Sequence, residues 1–298
     1  MKYIILDLEW DSVYFKPEKR FINQILQIGA VKLDENFNTV ETFSETVKSS
    51  LSNRVTSRFA KLTGITSEIM REGIPFEEAV EKYNAFASGV PIIMTWSNSD
   101  LYTILENEDH ILKNGRKFYF NFYLDLQKLV QSELAKRGNE SKNQISLEDA
   151  AGLLGFETDG YQLHTALDDC KVSALLFKEC YNKEKFDSLL RDTKSPDFYE
   201  RLRFKSYAIS DLNDSNIKSS ELVFTCPKCN RKAKRLKPWK YRNRWFIADF
   251  ECSKCKYKFN GRVAFKKTYD DLKVRHKVCE YKPRKKNQDD MQPVSEEV

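Results

Sequence analysis

The run Tyr3-Ile4-Ile5-Leu6-Asp7-Leu8-Glu9 constrains this chain more than any other stretch. Its large apolar side chains, Ile4, Ile5, Leu6 and Leu8, fall on both sides of an extended backbone, so a strand here is buried on both faces. Alternation puts Asp7 and Glu9 on one face, about 6.6 Å apart along the strand. An ionised carboxylate in an apolar setting must be paired or bind a cation. An edge strand with a wet polar face would also carry two acids, but it does not call for apolar residues on both sides. The pair points to a divalent-cation site.

The pattern that follows is that of an α/β protein. A loop is expected from Asp11 to Phe21, then strands at Ile22–Leu33 and Thr39–Val47 that complete an antiparallel meander. Helical segments are expected at Arg54–Leu62, Pro75–Ser88, Asp100–Leu112, Asp125–Lys136, from Ser146 to near Gly155, and Leu167–Tyr181. Short strands at Val90–Trp96 and Lys117–Leu124 alternate with them. Strands followed by alternating helices and strands predict a mixed sheet flanked by helices over about 1–182. Residues 183–220 are polar and mixed and read as a connector. Residues 221–286 read as a small basic domain, and 287–298 as a disordered acidic tail.

Charge supports this division. The net charge is +6, but residues 1–225 carry −7, residues 226–286 carry 22 Lys and Arg against five acids, and the tail carries −4. A strongly basic unit beside an acidic one calls for a polyanionic partner, most simply nucleic acid. No apolar run approaches the length of a bilayer span, and Asp7 and Glu9 interrupt the only segment resembling a signal sequence. A soluble, cytoplasmic protein with no membrane partner is expected. Seven cysteines, an odd number, argue against a secreted disulfide framework.

The last helix of the first part opens with His164-Thr165-Ala166-Leu167-Asp168-Asp169. Asp169 lines up with Val172, Leu176 and Cys180 on an apolar stripe, so it heads the buried face. Asp168 lines up with Lys171, Leu175 and Lys178 and is explained as a solvated first-turn acid. His164 falls in the loop before the helix. Asp100 can be a helix N-cap or a ligand, and Asp125, which follows a strand and opens a helix, suits capping.

Taken together, Asp7-x-Glu9 on a first strand, an Asp after a central strand and His164-x4-Asp169 before a C-terminal helix resemble the DEDDh exonucleases of the DnaQ-like, RNase T-like group in the RNase H-like superfamily. Gln27-Ile28-Gly29-Ala30-Val31 and Lys61-Leu62-Thr63-Gly64-Ile65-Thr66 fit the same pattern, and Trp96-Ser97-Asn98-Ser99-Asp100 is nearest the KapD-like, RNA-degrading branch. The chain departs from many relatives in having Trp10 after the first-motif Glu and Trp96 four positions before Asp100. The resemblance implies an RNase H-like fold and a 3′→5′ exonuclease. It implies Asp7, Glu9, Asp100 and Asp169 as ligands of two Mg²⁺ or Mn²⁺ ions, and His164 as general base. Hard divalent ions prefer carboxylate oxygens, and an imidazole titrates near neutrality. Trp10, Phe59 and Leu62 could line a terminal-nucleotide pocket, although core packing serves the aromatic residues as well.

Cys226-Pro-Lys-Cys229 and Cys252-Ser-Lys-Cys255, 22 residues apart, have the spacing of a four-cysteine zinc ribbon. Around them Arg235, Trp239, Arg242 and Arg244 interleave bases with aromatic side chains, as single-stranded nucleic acid requires. A ribbon core of Trp245, Phe246 and Phe250 is expected alongside. The leading expectation is a metal-dependent exonuclease acting on single-stranded nucleic acid, RNA before DNA. A DNA proofreading or repair exonuclease and a non-catalytic nucleic-acid or ribosome-binding protein are the alternatives.

Overall fold

The computed structural model describes residues 2–112, 118–141 and 143–281. The chain divides into two compact units, Met1–Arg203 and Phe204–Val298. The acidic tail 287–298 lies outside the described residues, as does Lys117.

The first unit opens with the meander β1 (Tyr3–Phe15), β2 (Arg20–Leu33) and β3 (Thr39–Lys48). Next come α1 (Ser57–Thr63), α2 (Ser67–Glu72), β4 (Ile74–Pro75), α3 (Phe76–Ala87), β5 (Ile92–Thr95), α4 (Ser99–Ile111) and β6 (Phe122–Asp125). The unit ends with α5 (Leu126–Lys136), α6 (Leu147–Leu153), α7 (Ala166–Cys180), α8 (Lys183–Leu189), β7 (Arg191–Asp192) and α9 (Phe198–Arg203). The strands form one mixed sheet in the order β4-β3-β2-β1-β5-β6-β7. β1 is antiparallel to β2 and parallel to β5.

Alternation along β1 builds two cores. Ile4, Leu6 and Leu8 pack with Val80 and Tyr83 of α3 and Leu101 and Ile104 of α4. Tyr3 and Ile5 face the other way, onto Leu129 and Val130 of α5 and Leu176 and Phe177 of α7. Both faces of β1 are covered, as its composition requires, and the carboxylates Asp7 and Glu9 share the α7 side.

Three segments differ from the expectations. The loop expected from Asp11 to Phe21 is instead the continuation of β1 and β2 into a hairpin arm, closed by a single 3-10 turn at Lys16–Glu18. Its polar residues find partners without leaving the ladder: Asp11 accepts from the Thr56 N–H and hydroxyl, and the Ser12 hydroxyl donates to Asn23. In the aromatic stretch before Leu124, only Phe122 onward pairs; Phe118 and Phe120 spend their side chains on the apolar core instead. The segment 183–220, expected as a connector, is divided between the units. β7 pairs with β6, and Phe198 and Leu202 enter the first core.

The second unit contains β8 (Tyr207–Ala208), β9 (Ala233–Arg235), β10 (Lys240–Arg242), β11 (Trp245–Cys252), β12 (Lys258–Lys267) and β13 (Leu272–Glu280). Its sheet runs β10-β11-β12-β13, with β9 also on β11 and β8 on β12. One face is packed by Phe224, Phe246, Phe250, Phe259 and Phe265, with the Phe250 and Phe259 rings stacked at 5.5 Å. Among the described residues no helix is long and apolar enough to cross a membrane.

One glycine decides how α7 meets the sheet. Gly29 on β2 is the register partner of Asp7, and a Cβ there would lie 2.3 Å from the Ala166 carbonyl carbon. That neighbour is backbone and cannot swing away, so only glycine lets the start of α7 lie against β2. Gln27, the register partner of Glu9, completes the seat by accepting the Ala166 N–H at 3.0 Å, where Thr165 makes no side-chain cap. Gly29→Ala is expected to cost about 1–3 kcal/mol by overpacking and to draw Asp169 away from Asp7 and Glu9. An unchanged melting temperature in this variant would contradict the assignment.

Candidate active site and thiolate centre

Three chain segments meet midway along β1. Asp7 and Glu9 project from it, immediately before a β-bulge that shifts the β1–β2 register after Glu9. Asp169 comes from the first turn of α7. One carboxylate oxygen from each of the three lies within 4.8 Å of the others. Asp100 is not one of these three, but it adjoins them. Its carboxylate is 3% exposed and accepts the Leu8 N–H at 3.2 Å, from the residue between Asp7 and Glu9. The N-cap of α4 is Asn98, so capping does not account for Asp100. Asp125 is a capping residue, accepting from the Lys128 N–H and pairing with the Lys128 ammonium at 2.7 Å.

The electrostatics are those of acids crowded out of water. Burial, then Asp169 and Asp100, push Glu9 up to about 8. Burial is also the first cause that takes Asp100 to about 7 and Asp169 to about 6. Asp7 is raised well above the usual carboxylate range by burial, with Asp100 the strongest charged neighbour and Asp169 and Glu9 behind it. Among the described residues, no cation figures in the groups acting on Asp7 or Glu9. Half-buried Asp7 and Glu9, crowded by the other carboxylates, suit a multivalent cation, which would replace their protons.

His164 occupies the turn before α7 in the left-handed region, with φ 66°, an uncommon conformation for a residue with a side chain. Its backbone N–H points to Asp169 Oδ1 at 3.3 Å, and its side chain is exposed. The adjacent Asp168 does more than meet solvent. It accepts the Gln162 N–H at 2.9 Å and the Lys171 ammonium at 2.8 Å, so it ties down the turn that presents His164. Neighbouring acids thus divide the work, Asp169 facing the carboxylates and Asp168 fixing the turn.

Trp10 lies on the opposite face of β1 from Asp7 and Glu9, half-buried against the core that holds Leu8 and Ile25. Phe59 is buried, whereas Leu62 on the same short helix is 50% exposed. Asp11 was missed in the sequence because it falls where a loop is expected; its bonds to Thr56 fix the N-cap of the helix that carries Leu62.

In the second unit Cys226, Cys229, Cys252 and Cys255 come together, with sulfur separations of 3.4, 3.6 and 3.7 Å for the closest pairs. These are too long for disulfides. Four thiolates about 2.3 Å from one tetrahedral ion stand about 3.8 Å apart, so the set fits zinc. The two turns are alike. Asn230 and Lys256, each four residues after the first Cys of its pair, have positive φ and donate back to the Cys226 and Cys252 carbonyls. Backbone N–H groups of Cys255, then Lys254, help to draw the Cys252 thiol down to about 6.

Of the bases and aromatics expected to bind substrate here, Trp239 is corrected. Its ring packs against Phe224 and Phe250, its indole nitrogen is buried, and Arg235 covers it at 5.8 Å. Trp245, expected in the core, stands on the other face of β11 from Phe246 and Phe250. The two tryptophans exchange places because β11 alternates from Trp245, whereas Trp239 follows Pro238 outside any strand. Arg242 is exposed at the end of β10, and Arg244 closes a two-residue left-handed turn with Asn243.

A family model described as Exonuclease (RNase_T) matches residues 4–177. A probable 3′-5′ exonuclease KapD of Bacillus subtilis is 27% identical over 209 residues, covering 67% of this chain and 92% of that one. A PolC-type DNA polymerase III of Thermotoga petrophila is 27% identical over 175 residues, which are 59% of this chain but only 11% of the polymerase. The nuclease domain of 3′hExo, a DEDDh family member bound to rAMP, superposes with TM-score 0.52 at 18% identity, covering 65% of this chain and 96% of that one. A full-length 3′-exonuclease does so with TM-score 0.52 at 17% identity, covering 65% and 91%. These likenesses carry the RNase H-like mixed α/β fold of the first unit.

Two expectations follow. The raised carboxylates hold protons that the unfolded chain has released, so without divalent ions stability falls as pH rises from about 4 to about 8. The melting temperature of protein free of Mg²⁺ and Mn²⁺ should be lower at about pH 8.5 than at about pH 6, and Mn²⁺ should raise it more at the higher pH. A melting temperature indifferent to both would contradict the charge crowding. A zinc ion on these four thiolates would contribute on the order of 10 kcal/mol, so chelation should unfold the second unit. Metal analysis should find one zinc per chain and none in Cys252→Ser; a folded, zinc-free second unit would oppose the assignment.

Proposed function

The chain belongs to the exonuclease family, and on that footing we propose that it removes nucleotides from the 3′ end of single-stranded nucleic acid, RNA before DNA. The observation that carries this reading is the convergence of the Asp7, Glu9 and Asp169 oxygens beside buried Asp100. In this reading those four hold two Mg²⁺ or Mn²⁺ ions. The chemistry such ions supply when bound is activation of the attacking water and neutralisation of charge on the leaving 3′ oxygen.

The chain's own residues do the rest. The Asp168 bonds hold the Gln162–Thr165 turn, and the exposed His164 imidazole takes a proton from the water, as general base. Leu62 offers an apolar surface to the terminal base. The basic second unit grips the polymer that trails from the site, through Arg242 and Arg244 among others, and compensates for the acidic surroundings of the nuclease unit. One zinc held by Cys226, Cys229, Cys252 and Cys255 keeps that unit folded. A cytoplasmic setting, where thiols stay reduced, belongs to the same reading. The likeness of Trp96–Asp100 to RNA-degrading relatives supports RNA, while the PolC-type relative keeps DNA as the alternative.

End-labelled single-stranded RNA and DNA, offered side by side with Mg²⁺ and with Mn²⁺, test the proposal. Shortening from the 3′ end, faster on RNA, is the expected result. Asp7→Ala should end cleavage while leaving binding in place, and His164→Ala should slow it by about 10²–10⁴-fold. A parent protein that binds but never cleaves would be a nucleic-acid-binding protein instead.

A further inference from the structure

The second unit buries one face of its sheet and leaves the other open. Across that open face, Lys240, Ile247, Arg262 and Lys277 stand side by side on β10, β11, β12 and β13. One step along, Arg242 is paired with Trp245, and Ala264 with Arg275. Ala264 is too short to separate its neighbours, so the Arg275 guanidinium reaches over the Trp245 ring at 5.3 Å. Trp245 is half-buried at its base, a flat ring fixed by its strand and a cation.

The charge of this face is one-sided where the tryptophan stands. Among the described residues Lys240, Arg242, Arg275 and Lys277 have no carboxylate partner, and all four are exposed. The acids of the face, Asp249 and Glu251, lie toward the other end of β11 and are met by Lys237 at 3.7 Å and Lys258 at 3.9 Å. A shallow groove of about 500 Å³ is lined by Arg242, Ile247 and Arg262 together with the acids Asp249 and Glu280, so its positive part is the stretch nearer Arg242 and Arg262. Unpaired cations on a folded sheet repel one another, and an arrangement of this kind is relieved by a polyanion. The fixed aromatic ring among them adds a surface that any base can stack on.

We propose that this open face is a docking platform for single-stranded nucleic acid, with Trp245 stacking a base and Arg242, Arg262, Arg275 and Lys277 taking backbone phosphates. The platform is a second binding site, separate from the carboxylates, and it refines the reading above in which the basic unit grips the polymer. It replaces Trp239, whose ring is committed to the core, by Trp245.

Full-length Asp7→Ala protein loaded with zinc, titrated against a fluorescein-labelled single-stranded oligouridylate, measures binding without cleavage. Added Trp245→Ala should weaken binding at least about fivefold, the loss of one stacked base, and Trp245→Phe should restore most of it. Lys277→Glu should weaken binding and flatten its salt dependence. Cleavage of a tetranucleotide by the otherwise unaltered enzyme should survive Trp245→Ala, so a failure of the platform is distinguishable from a failure of the nuclease. Unchanged affinity in both Trp245→Ala and Lys277→Glu would overturn the proposal. So would equally tight binding of polyglutamate, which would mark the face as a dock for acidic proteins.

Discussion

The nuclease unit depends on one contact, that of the first turn of α7 on strand β2. A helix normally keeps its distance from a sheet because side chains fill the space between them. Here Gly29 removes that spacer opposite Asp7, and Gln27 supplies the missing cap opposite Glu9. The result brings Asp169 against two acids of the neighbouring strand. Their repulsion, strengthened by burial, is the energetic cost of the site, and it is also what makes the site select a multivalent cation.

The second unit solves a different problem. Its sheet has one packed face and few helices to cover the other, so a small aromatic core is joined to a thiolate centre that the turns at Asn230 and Lys256 help to shape. The sulfur separations suit an ion and not a disulfide. Burying Trp239 and freeing Trp245 follows from strand phase: β11 turns Phe246, Ala248 and Phe250 inward, so residue 245 must face out.

Much of this was legible in the sequence because it depends on local periodicity. The two buried faces of β1, the common side of Asp7 and Glu9, the buried stripe headed by Asp169 and the paired cysteines all follow from spacing. What escaped was nonlocal. Asp11 and Ser12 look like loop residues until Thr56 and Asn23 are there to bond them. The role of Asp168 requires knowing that Gln162 folds back onto it, and the choice between capping and site for Asp100 turned on its reach to Leu8 across 92 residues. The segment 183–220 reads as a connector because its apolar residues are sparse, yet Phe198 and Leu202 find a core prepared by α4.

The most direct test is anomalous diffraction from crystals of the protein grown with Mn²⁺ and a 3′ nucleotide. The account predicts two manganese peaks about 3.5–4 Å apart, bounded by the carboxylates of Asp7, Glu9, Asp100 and Asp169, with His164 turned toward the nucleotide phosphate. Manganese absent from these carboxylates at saturating concentration, or bound elsewhere in the chain, would contradict it.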